Sequence, residues 1–402
     1  MDGDTKTSKT SESPAVDTRS GITPGSGRRL VIMLALVASL LVSDARGETL
    51  ALAVLLVLIL LHEAGHYSVA RVCGMRVHEF FVGFGPLVWS YNRKGIEYGI
   101  KALPLGGYVR IAGMTAGDLD HPEGYQRAGR WRKIAVVAAG PATNLAIALG
   151  VAFSTLFFVG LPSSSTTVDR IDPRLGAAEA GLRPGDKIVE INGAIITEWN
   201  QVGRNVEAVG AGGSLEVTVE RGDRRYRYSV PVLSDAGQAR IGVGAKTVYE
   251  TLGFFDSAEG SVKAVGNIAK ASTLGIINLV QGLPEFFGGL LGNEVAPENR
   301  PISPVGAVQI GAQLGGESLF DALELIMVYS TFLAIFNLFP ILPLDGGRIA
   351  VILYETAVST IRRRKVEVKA ETMARVGLAF TVALLMVGIV ALILDITQPV
   401  LQ

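Results

Sequence analysis

Long apolar runs alternate with polar and charged stretches along this chain, and the length of each run indicates what it can form. A helix needs about 20 mostly apolar residues to cross a bilayer. Four runs reach or approach that length, at residues 49–72, 134–159, 323–344 and 374–394. A fifth run, residues 30–42, is shorter; we expect it to be an additional crossing, and a position in the membrane interface is the alternative. The pattern predicts a polytopic α-helical membrane protein.

The stretch between the first two long runs has a different texture. Residues 77–113 are apolar, but glycine, proline and charged residues interrupt them too often for a spanning helix. Aromatic and β-branched residues with paired glycines favour extended strands joined by tight turns. We expect this apolar stretch to dip into the bilayer, where such backbone must be buried in protein or line a wet cavity.

A polar block separates the second and third runs and contains the signature of a small β-rich domain. The turn sequence GLRPGD precedes the alternating strand Lys187–Ile191, and residues 215–219 and 225–232 predict a hairpin. The sequence AAEAGLRPGDKIVEING, residues 177–193, is similar to PDZ domains of bacterial proteases. We therefore predict an inserted PDZ domain of the α+β type.

Apolar positions recur near helical spacing after the PDZ-like sequence, over residues 249–316. This pattern predicts either an amphipathic helix lying on the membrane face or an ordinary surface helix packed on the PDZ domain. The predicted division of the chain is a disordered cytoplasmic tail at 1–28, an extra hydrophobic segment at 29–46, a first core span at 49–73, a membrane-reentrant β-hairpin region at 77–113, a second core span at 131–160, the PDZ domain at 163–247, an amphipathic connector at 249–321, a third core span at 322–346 and a fourth at 373–396.

Composition and charge agree with a membrane protein. The 402 residues are 49% hydrophobic and only 18% charged, with a mean hydropathy of +0.38. Lys and Arg together number 37, as do Asp and Glu, so nothing favours nucleic acid as a partner. The single cysteine, Cys73, excludes an internal disulfide and a cysteine-rich metal site.

The basic residues predict the orientation. They cluster before the marginal run, between the first two core spans and between the last two, and all of these lie on one side if every run crosses once. Basic loops face the cytoplasm. We therefore expect a multi-pass protein of the cell (inner or plasma) membrane, with its PDZ domain extracytoplasmic.

The sequence VLILLHEAGHYSVA, residues 57–70, carries the strongest candidate chemistry. His62 and His66 are four positions apart, so both side chains lie on one face of a helix and can bind one zinc ion. Glu63 lies next to them, where a carboxylate can take a proton from an attacking water. Charged groups beside a long apolar run are costly, which makes a functional role the first expectation.

Catalytic zinc takes three protein ligands and keeps one position open. The remaining histidines, His78 and His121, follow no metal spacing. Asp345, in NLFPILPLDGGRIA, is the better candidate because it also sits near the cytoplasmic end of a span, at a similar depth. Its carboxylate costs several kcal/mol when unpaired in the membrane, and coordination removes that cost. An ordinary Asp-Gly turn is the alternative.

HEAGH on the first core helix, a PDZ insert and a later helix with N-x-x-P…LDG together resemble the site-2 protease family of intramembrane zinc metalloproteases. The resemblance covers most of the chain, from about residue 50 to residue 393. It implies that His62, His66 and Asp345 are Zn²⁺ ligands and that Glu63 is the general base. It also implies that residues 77–113 are the reentrant hairpin, and that the GPATN sequence lies on the second core helix.

The resemblance further implies the kind of substrate. Bacterial members of the family cleave anti-sigma factors and other membrane-anchored single-span proteins, after a site-1-type protease has shortened them. An unwound substrate segment would add to the open edge of the hairpin as a strand. Candidate substrate-binding residues are Asn337, Asn144, Gly106 and Gly107. For Asn337 an interhelical hydrogen bond is an equal alternative, and for Asn144 a structural role is favoured.

Two other classes of protein fit parts of this pattern. A non-enzymatic membrane scaffold would use only the PDZ domain to gather partners. An ion-coupled transporter would use His62, Glu63 and Asp345 as an ion relay. Zinc content and cleavage activity distinguish both from a protease.

Overall fold

The computed structural model describes residues 46–114, 118–289 and 319–397, with a few isolated positions before residue 46. The predicted tail at 1–28 and the extra hydrophobic segment at 29–46 therefore lie almost entirely outside the described residues. By internal contacts the chain divides into two compact units, Met1–Phe153 with Ala258–Gln402, and Ser154–Ser257.

Eight helices and eleven strands are described. The helices are α1 (Arg46–Val72), α2 (Arg130–Ser154), α3 (Gly176–Ala180), α4 (Trp199–Val209), α5 (Phe254–Gly289), α6 (Leu319–Leu338), α7 (Asp345–Arg362) and α8 (Ala370–Thr397). The strands are β1 (Gly21–Ile22), β2 (Val77–Arg93), β3 (Ile96–Ile111), β4 (Leu161–Ile171), β5 (Lys187–Ile191), β6 (Ala194–Ile195), β7 (Ser214–Arg221), β8 (Arg224–Pro231), β9 (Leu233–Asp235), β10 (Gln238–Arg240) and β11 (Val243–Glu250). Short 3₁₀ and π turns occupy Tyr125–Arg127 and Thr155–Val159.

Four of the described helices are long and apolar enough to cross a membrane. They cover Thr49–Val72, Arg130–Val159, Leu319–Leu338 and Ala370–Ala391. These positions agree with the four long apolar runs of the sequence, and the chain is a polytopic membrane protein.

The third span is shorter than predicted. The sequence predicts one span over residues 322–346 with Asp345 near its end, but α6 ends at Leu338 and Asp345 is the first residue of α7. Pro340 and Pro343 explain the break, because proline offers no N–H and disfavours helical backbone in the residue before it. The correction places the carboxylate at the start of a helix rather than at the end of one.

The sheet of the first unit is more folded than a simple hairpin. Residues 79–82 of β2 pair on one side with residues 97–100 of β3 and on the other with residues 107–110. β2 bends at Gly83 and Gly85, which have φ values of +84° and +81°, a conformation that favours glycine. Within the described residues, segment 107–111 pairs with β2 on one side only, so it forms an edge of the sheet.

One apolar core joins this sheet to the first two spanning helices. Its buried members come from α1, β2, β3, α2 and α7 and from two connecting segments, and they include Ala70, Val77, Ile111 and Val136. This packing places the edge segment beside α1 and α2. It is the part of the fold that positions the candidate site.

The predicted amphipathic connector contains a long helix. On α5, Val265 packs with Ala148 and Ala152 of α2, and Leu283 packs with Val390 of α8. The helix thus contacts two of the spanning helices along its length. Residues 290–318 of the connector lie outside the described residues.

The second unit is a β-rich domain with a core of its own. Its main sheet has the order β11-β4-β5-β7-β8, and β6 pairs with β5. β7 and β8 form the predicted hairpin, in register from Ser214 with Pro231 to Arg221 with Arg224. The fully buried Asp186 accepts hydrogen bonds from Arg221 Nε at 2.6 Å and Nη2 at 2.8 Å, which ties the turn before β5 to the end of β7.

Candidate metal centre

The second half of α1 carries the two predicted imidazole ligands on one helical face. The rings of His62 and His66 meet edge to face at 86°, with their centroids 4.8 Å apart and their Nε2 atoms 3.1 Å apart. His62 is only 6% exposed. The four-residue spacing read from the sequence therefore brings both Nε2 atoms to one point.

Asp345 joins them from the start of α7. The chain turns sharply between α6 and α7, and two glycines make that turn possible. A Cβ on Gly346 would lie 2.1 Å from the carbonyl oxygen of Leu338, and one on Gly347 would lie 2.5 Å from the backbone of Ile341. Only glycine fits such approaches, so the glycines after Asp345 allow α7 to begin against the end of α6.

The three predicted ligand atoms form a nearly equilateral triangle. Asp345 Oδ2 lies 3.2 Å from Nε2 of His62 and 3.1 Å from Nε2 of His66. Across the part of the chain that the structure describes, this is the only group of three or more His, Cys, Asp or Glu ligands close enough to share an ion.

This triangle fits a zinc ion. Ligands about 2.0–2.2 Å from a tetrahedral zinc lie roughly 3.3–3.6 Å from one another, close to the observed separations. Asp345 Oδ2 is buried and has no hydrogen bond of acceptable geometry, despite the two nearby nitrogens. Its separations from the two ring nitrogens fit an ion shared by all three atoms. Two imidazoles and one carboxylate are also a usual donor set for catalytic zinc.

α2 packs directly against the two imidazoles. A Cβ on Gly140 would lie 2.4 Å from His66 Nε2 and 2.6 Å from His62 Nε2, so this position requires glycine. Gly65 has the same role on α1, because its Cβ would lie 2.6 Å from the carbonyl oxygen of Ala139. His66 Nδ1–H donates to the carbonyl oxygen of Val136 at 2.7 Å, which orients its ring.

Glu63 faces the same cavity as the three ligands. The cavity has a volume of about 450 Å³, and Tyr108, Val109, Arg110 and Ile111 of the sheet edge line it as well. A Cβ on Gly107 would lie 3.3 Å from Glu63 Cγ. The edge segment therefore passes within van der Waals distance of the predicted base.

The four predicted substrate-binding residues lie in different places. Asn337 lines the cavity, and its Nδ2 donates to the carbonyl oxygen of Leu333 in its own helix at 3.0 Å. Gly106, with φ of +142°, and Gly107 lie at the start of the edge segment. Asn144 is fully buried beside His62 and is not among the residues that line the cavity.

The remaining histidines lie elsewhere. His78 Nε2 contacts Asp118 Oδ2 at 3.1 Å, and the ring of His121 meets the ring of His78 edge to face, with centroids 5.7 Å apart. Neither belongs to the triangle of ligand atoms. The preference for Asp345 over these two histidines agrees with this geometry.

Sequence reasoning missed Arg348, which lies one helical turn after Asp345. Its side chain lines the site cavity and a second cavity of about 950 Å³, and its Nη1 contacts Met114 Sδ at 3.3 Å. The spacing of three residues from Asp345 on α7 is the signal that identifies it. Met114 has no comparable signal, because the end of the sheet brings it to the site.

Comparisons with known proteins identify a peptidase family and several zinc metalloproteases that this chain resembles. The model of peptidase family M50 matches residues 50–384. The zinc metalloprotease Rip1 of Mycobacterium tuberculosis is 31% identical, over 86% of this chain and 96% of that protein. Rip1 of Mycolicibacterium smegmatis is also 31% identical, over 77% of this chain and 85% of that protein.

Among solved structures, the PDZ domain of an SdrC-like protein from Listeria monocytogenes aligns with 20% of this chain and 87% of that domain. The identity is 19% and the TM-score is 0.19, which is too low to bear on the fold. The region matched by the family model includes α1 and the start of α7, and hence all three predicted ligands and Glu63.

Proposed function

This chain belongs to peptidase family M50, the site-2 proteases, and we propose that it cuts single-span membrane proteins within or near their transmembrane helix. It is a zinc metalloprotease, and Zn²⁺ is its cofactor. The observation that most supports the proposal is the convergence of three ligand atoms and Glu63 on one cavity beside spanning helices.

We assign the ligands to Nε2 of His62, Nε2 of His66 and Oδ2 of Asp345. When bound by these residues, zinc would supply Lewis-acid chemistry: it would polarise the scissile carbonyl and lower the pKa of the attacking water. Glu63 accepts the proton of that water and delivers it to the leaving amine, as a general base and then a general acid. Burial makes the charge of Asp345 costly, and coordination of a cation together with the two imidazoles would offset that cost.

The sheet edge supports a substrate in extended form. A transmembrane helix hides each carbonyl in its own hydrogen bonds, so the segment to be cut must unwind first. No described strand pairs with the outer side of segment 107–111, so a substrate segment could pair there, as in other peptides that bind by strand addition. Gly106 and Gly107 carry no side chain that would hold the substrate away from Glu63. Asn337, in the same cavity, can donate to a substrate carbonyl if its amide turns away from α6.

The β-rich domain enters the proposal as an extracytoplasmic PDZ domain. By resemblance to bacterial site-2 proteases, it limits access to proteins that a site-1-type protease has already shortened, such as anti-sigma factors. It serves either as a size filter or as a receptor for the new C-terminus. The site then lies near the cytoplasmic side, where water is available.

The two rival classes lose support. A scaffold without activity and an ion-coupled transporter both require that the histidines and Asp345 serve something other than hydrolysis. The family and the relatives are those of zinc metalloproteases, and the three ligand atoms are arranged around one point.

The test uses the purified chain in lipid nanodiscs with a single-span substrate whose outer domain has been removed. We expect the native chain to bind one zinc and to cut inside the span. Glu63→Gln is expected to keep the zinc and to lose activity by about 10²–10⁴-fold, since it removes only the proton acceptor. His62→Ala is expected to lose both zinc and cleavage.

Glu259→Gln is the matched control, because Glu259 is exposed on α5 and pairs only with Lys263. It is expected to resemble the native chain in zinc content, measured by elemental analysis, and in products, identified by mass spectrometry. Full cleavage by Glu63→Gln, or zinc retained by His62→Ala, would exclude the assigned roles.

A further inference from the structure

One buried amide touches a proposed zinc ligand from behind. Asn144 on α2 is fully buried, and its Nδ2 lies 3.3 Å from Nδ1 of His62. Its Oδ1 is also buried and has no hydrogen-bond partner. Asn144 is an interior residue of α2, and Ser330 Oγ of α6 donates to its carbonyl oxygen at 2.8 Å.

The corresponding contact of His66 shows what a ligating imidazole needs. Its Nδ1 faces the carbonyl oxygen of Val136, which can only accept, so Nδ1 carries the proton and the Nε2 lone pair is free for a metal. Histidine ligands almost always donate their second N–H in this way.

His62 lacks such an acceptor in the side-chain orientation of the structure. An amide nitrogen facing Nδ1 can only donate, which would place the ring proton on Nε2. That atom lies 3.2 Å from Asp345 Oδ2, at the centre of the ligand triangle. A proton there would leave His62 with no lone pair for zinc.

We propose that Asn144 is a positioning residue for His62, with its amide turned so that Oδ1 accepts the Nδ1–H hydrogen bond. The exchange of nitrogen and oxygen leaves the shape of the side chain unchanged. It brings Oδ1 to the Nδ1–H of His62 and moves Nδ2 to the buried position where Oδ1 has no partner. The inference rests on the proposed ligand role of His62 and adds the residue that holds its tautomer.

Two substitutions test the proposal through zinc affinity, measured by competition with a chelator. Asn144→Leu has a similar volume but no acceptor, and its dissociation constant for zinc is expected to rise by about 10–100-fold. Asn144→Asp keeps an acceptor oxygen against Nδ1–H, and its affinity is expected to stay near that of the native chain. A purely structural role predicts the reverse order, because an unpaired buried carboxylate costs more than a leucine.

Ser330→Ala is the matched control. It removes the buried hydrogen bond between α6 and α2 at the same residue without touching the imidazole, and zinc affinity is expected to be unchanged. A second measurement needs no variant: ¹⁵N spectra of the metal-free protein with labelled histidine are expected to show His62 protonated at Nδ1.

Three results would overturn the proposal: native zinc affinity in Asn144→Leu, an Asn144→Asp variant as weak as Asn144→Leu, or a metal-free His62 protonated at Nε2. Zinc retained by His62→Ala would instead refute the ligand set of the proposed function. The readouts do not depend on proteolysis, so the two failures are distinguishable.

Discussion

Two imidazoles and a carboxylate lie within hydrogen-bonding distance of one another, yet the carboxylate oxygen has no hydrogen bond of good geometry. At the residue scale, the nearly equal separations support the proposed metal centre, because one ion could contact all three atoms. His62 and His66 are predictable from the sequence, because helical geometry alone brings positions four apart together. Asn144 is different, since its contact with His62 comes from the way α2 crosses α1.

Asp186 supports a residue-scale prediction outside the membrane-spanning helices. Burial raises the pKa of its carboxyl group, but hydrogen bonds from Arg221 and from the backbone of Arg183 outweigh burial and hold the pKa below its ordinary value of 3.8. A carboxyl group with a lowered pKa stabilises the folded chain fully above its ordinary pKa of 3.8. This stability is lost as the pH falls through the lowered pKa. We expect acid below about pH 4 to loosen β5 and β7 first.

Asp186→Asn should reproduce the loosening at neutral pH. It leaves Arg221 without its carboxylate partner, and amide exchange in β5 and β7 of the full chain is expected to accelerate about tenfold or more. Hydrogen exchange with mass spectrometry measures both effects. Exchange in Asp186→Asn as slow as in the native chain would show that the pair contributes little.

At the scale of elements, the crossing of α1 and α2 decides whether the site exists. Gly65 and Gly140 let the two helices approach until the backbone of α2 lies against both imidazoles. The sequence shows the glycines, and Gly65 is readable as a point of close approach. The sequence does not predict that Gly140 lies against His62 and His66, because a pattern along the chain does not show which faces of two helices pack together.

Gly140→Ala should therefore destroy the metal centre. Its Cβ would overlap both Nε2 atoms, so the imidazoles must move apart, and we expect the purified variant to lose its zinc and its activity. Elemental analysis of the purified chain is the measurement.

Gly150→Ala is the matched control on the same helix, where an added Cβ meets nothing within 4 Å. It should keep zinc and gain about 0.5–1 kcal/mol of helix stability, since alanine is the better helix former. Full zinc occupancy in Gly140→Ala would mean that the two helices are further apart than described.

At the scale of the whole molecule, the chain combines a membrane-embedded unit with an inserted β-rich unit. The inserted unit can be removed with little disturbance to the chain path, because its first and last strands pair at their ends, Leu161 with Glu250. A short Gly-Ser linker in place of residues 161–250 should therefore leave α2 and α5 connected as before.

We expect the native chain to cut a shortened single-span substrate and to spare the same substrate with its outer domain intact. The variant without residues 161–250 should cut both, because nothing then limits the size of the outer domain. Product analysis in proteoliposomes measures the difference. If the shortened substrate is cut only when the domain is present, the domain acts as a receptor rather than a filter.

The sequence by itself determined the membrane class, the four spans, the hairpin of the β-rich unit and the pair of imidazoles on α1. All of these depend on contacts between residues near in sequence, whose spacing follows from helical and strand periodicity. It also pointed to Asp345, but only through chemistry and depth, and it misplaced that residue at the end of a span.

Only the tertiary structure decided that α7 begins at Asp345, that segment 107–111 passes beside Glu63, and that Asn144 faces His62. These contacts join residues distant along the chain, and they depend on how helices and sheet pack around Gly140, Gly346 and Gly347. Periodicity says which face of an element is apolar, whereas close packing selects the partner of each face, and that selection places the ligands around one point.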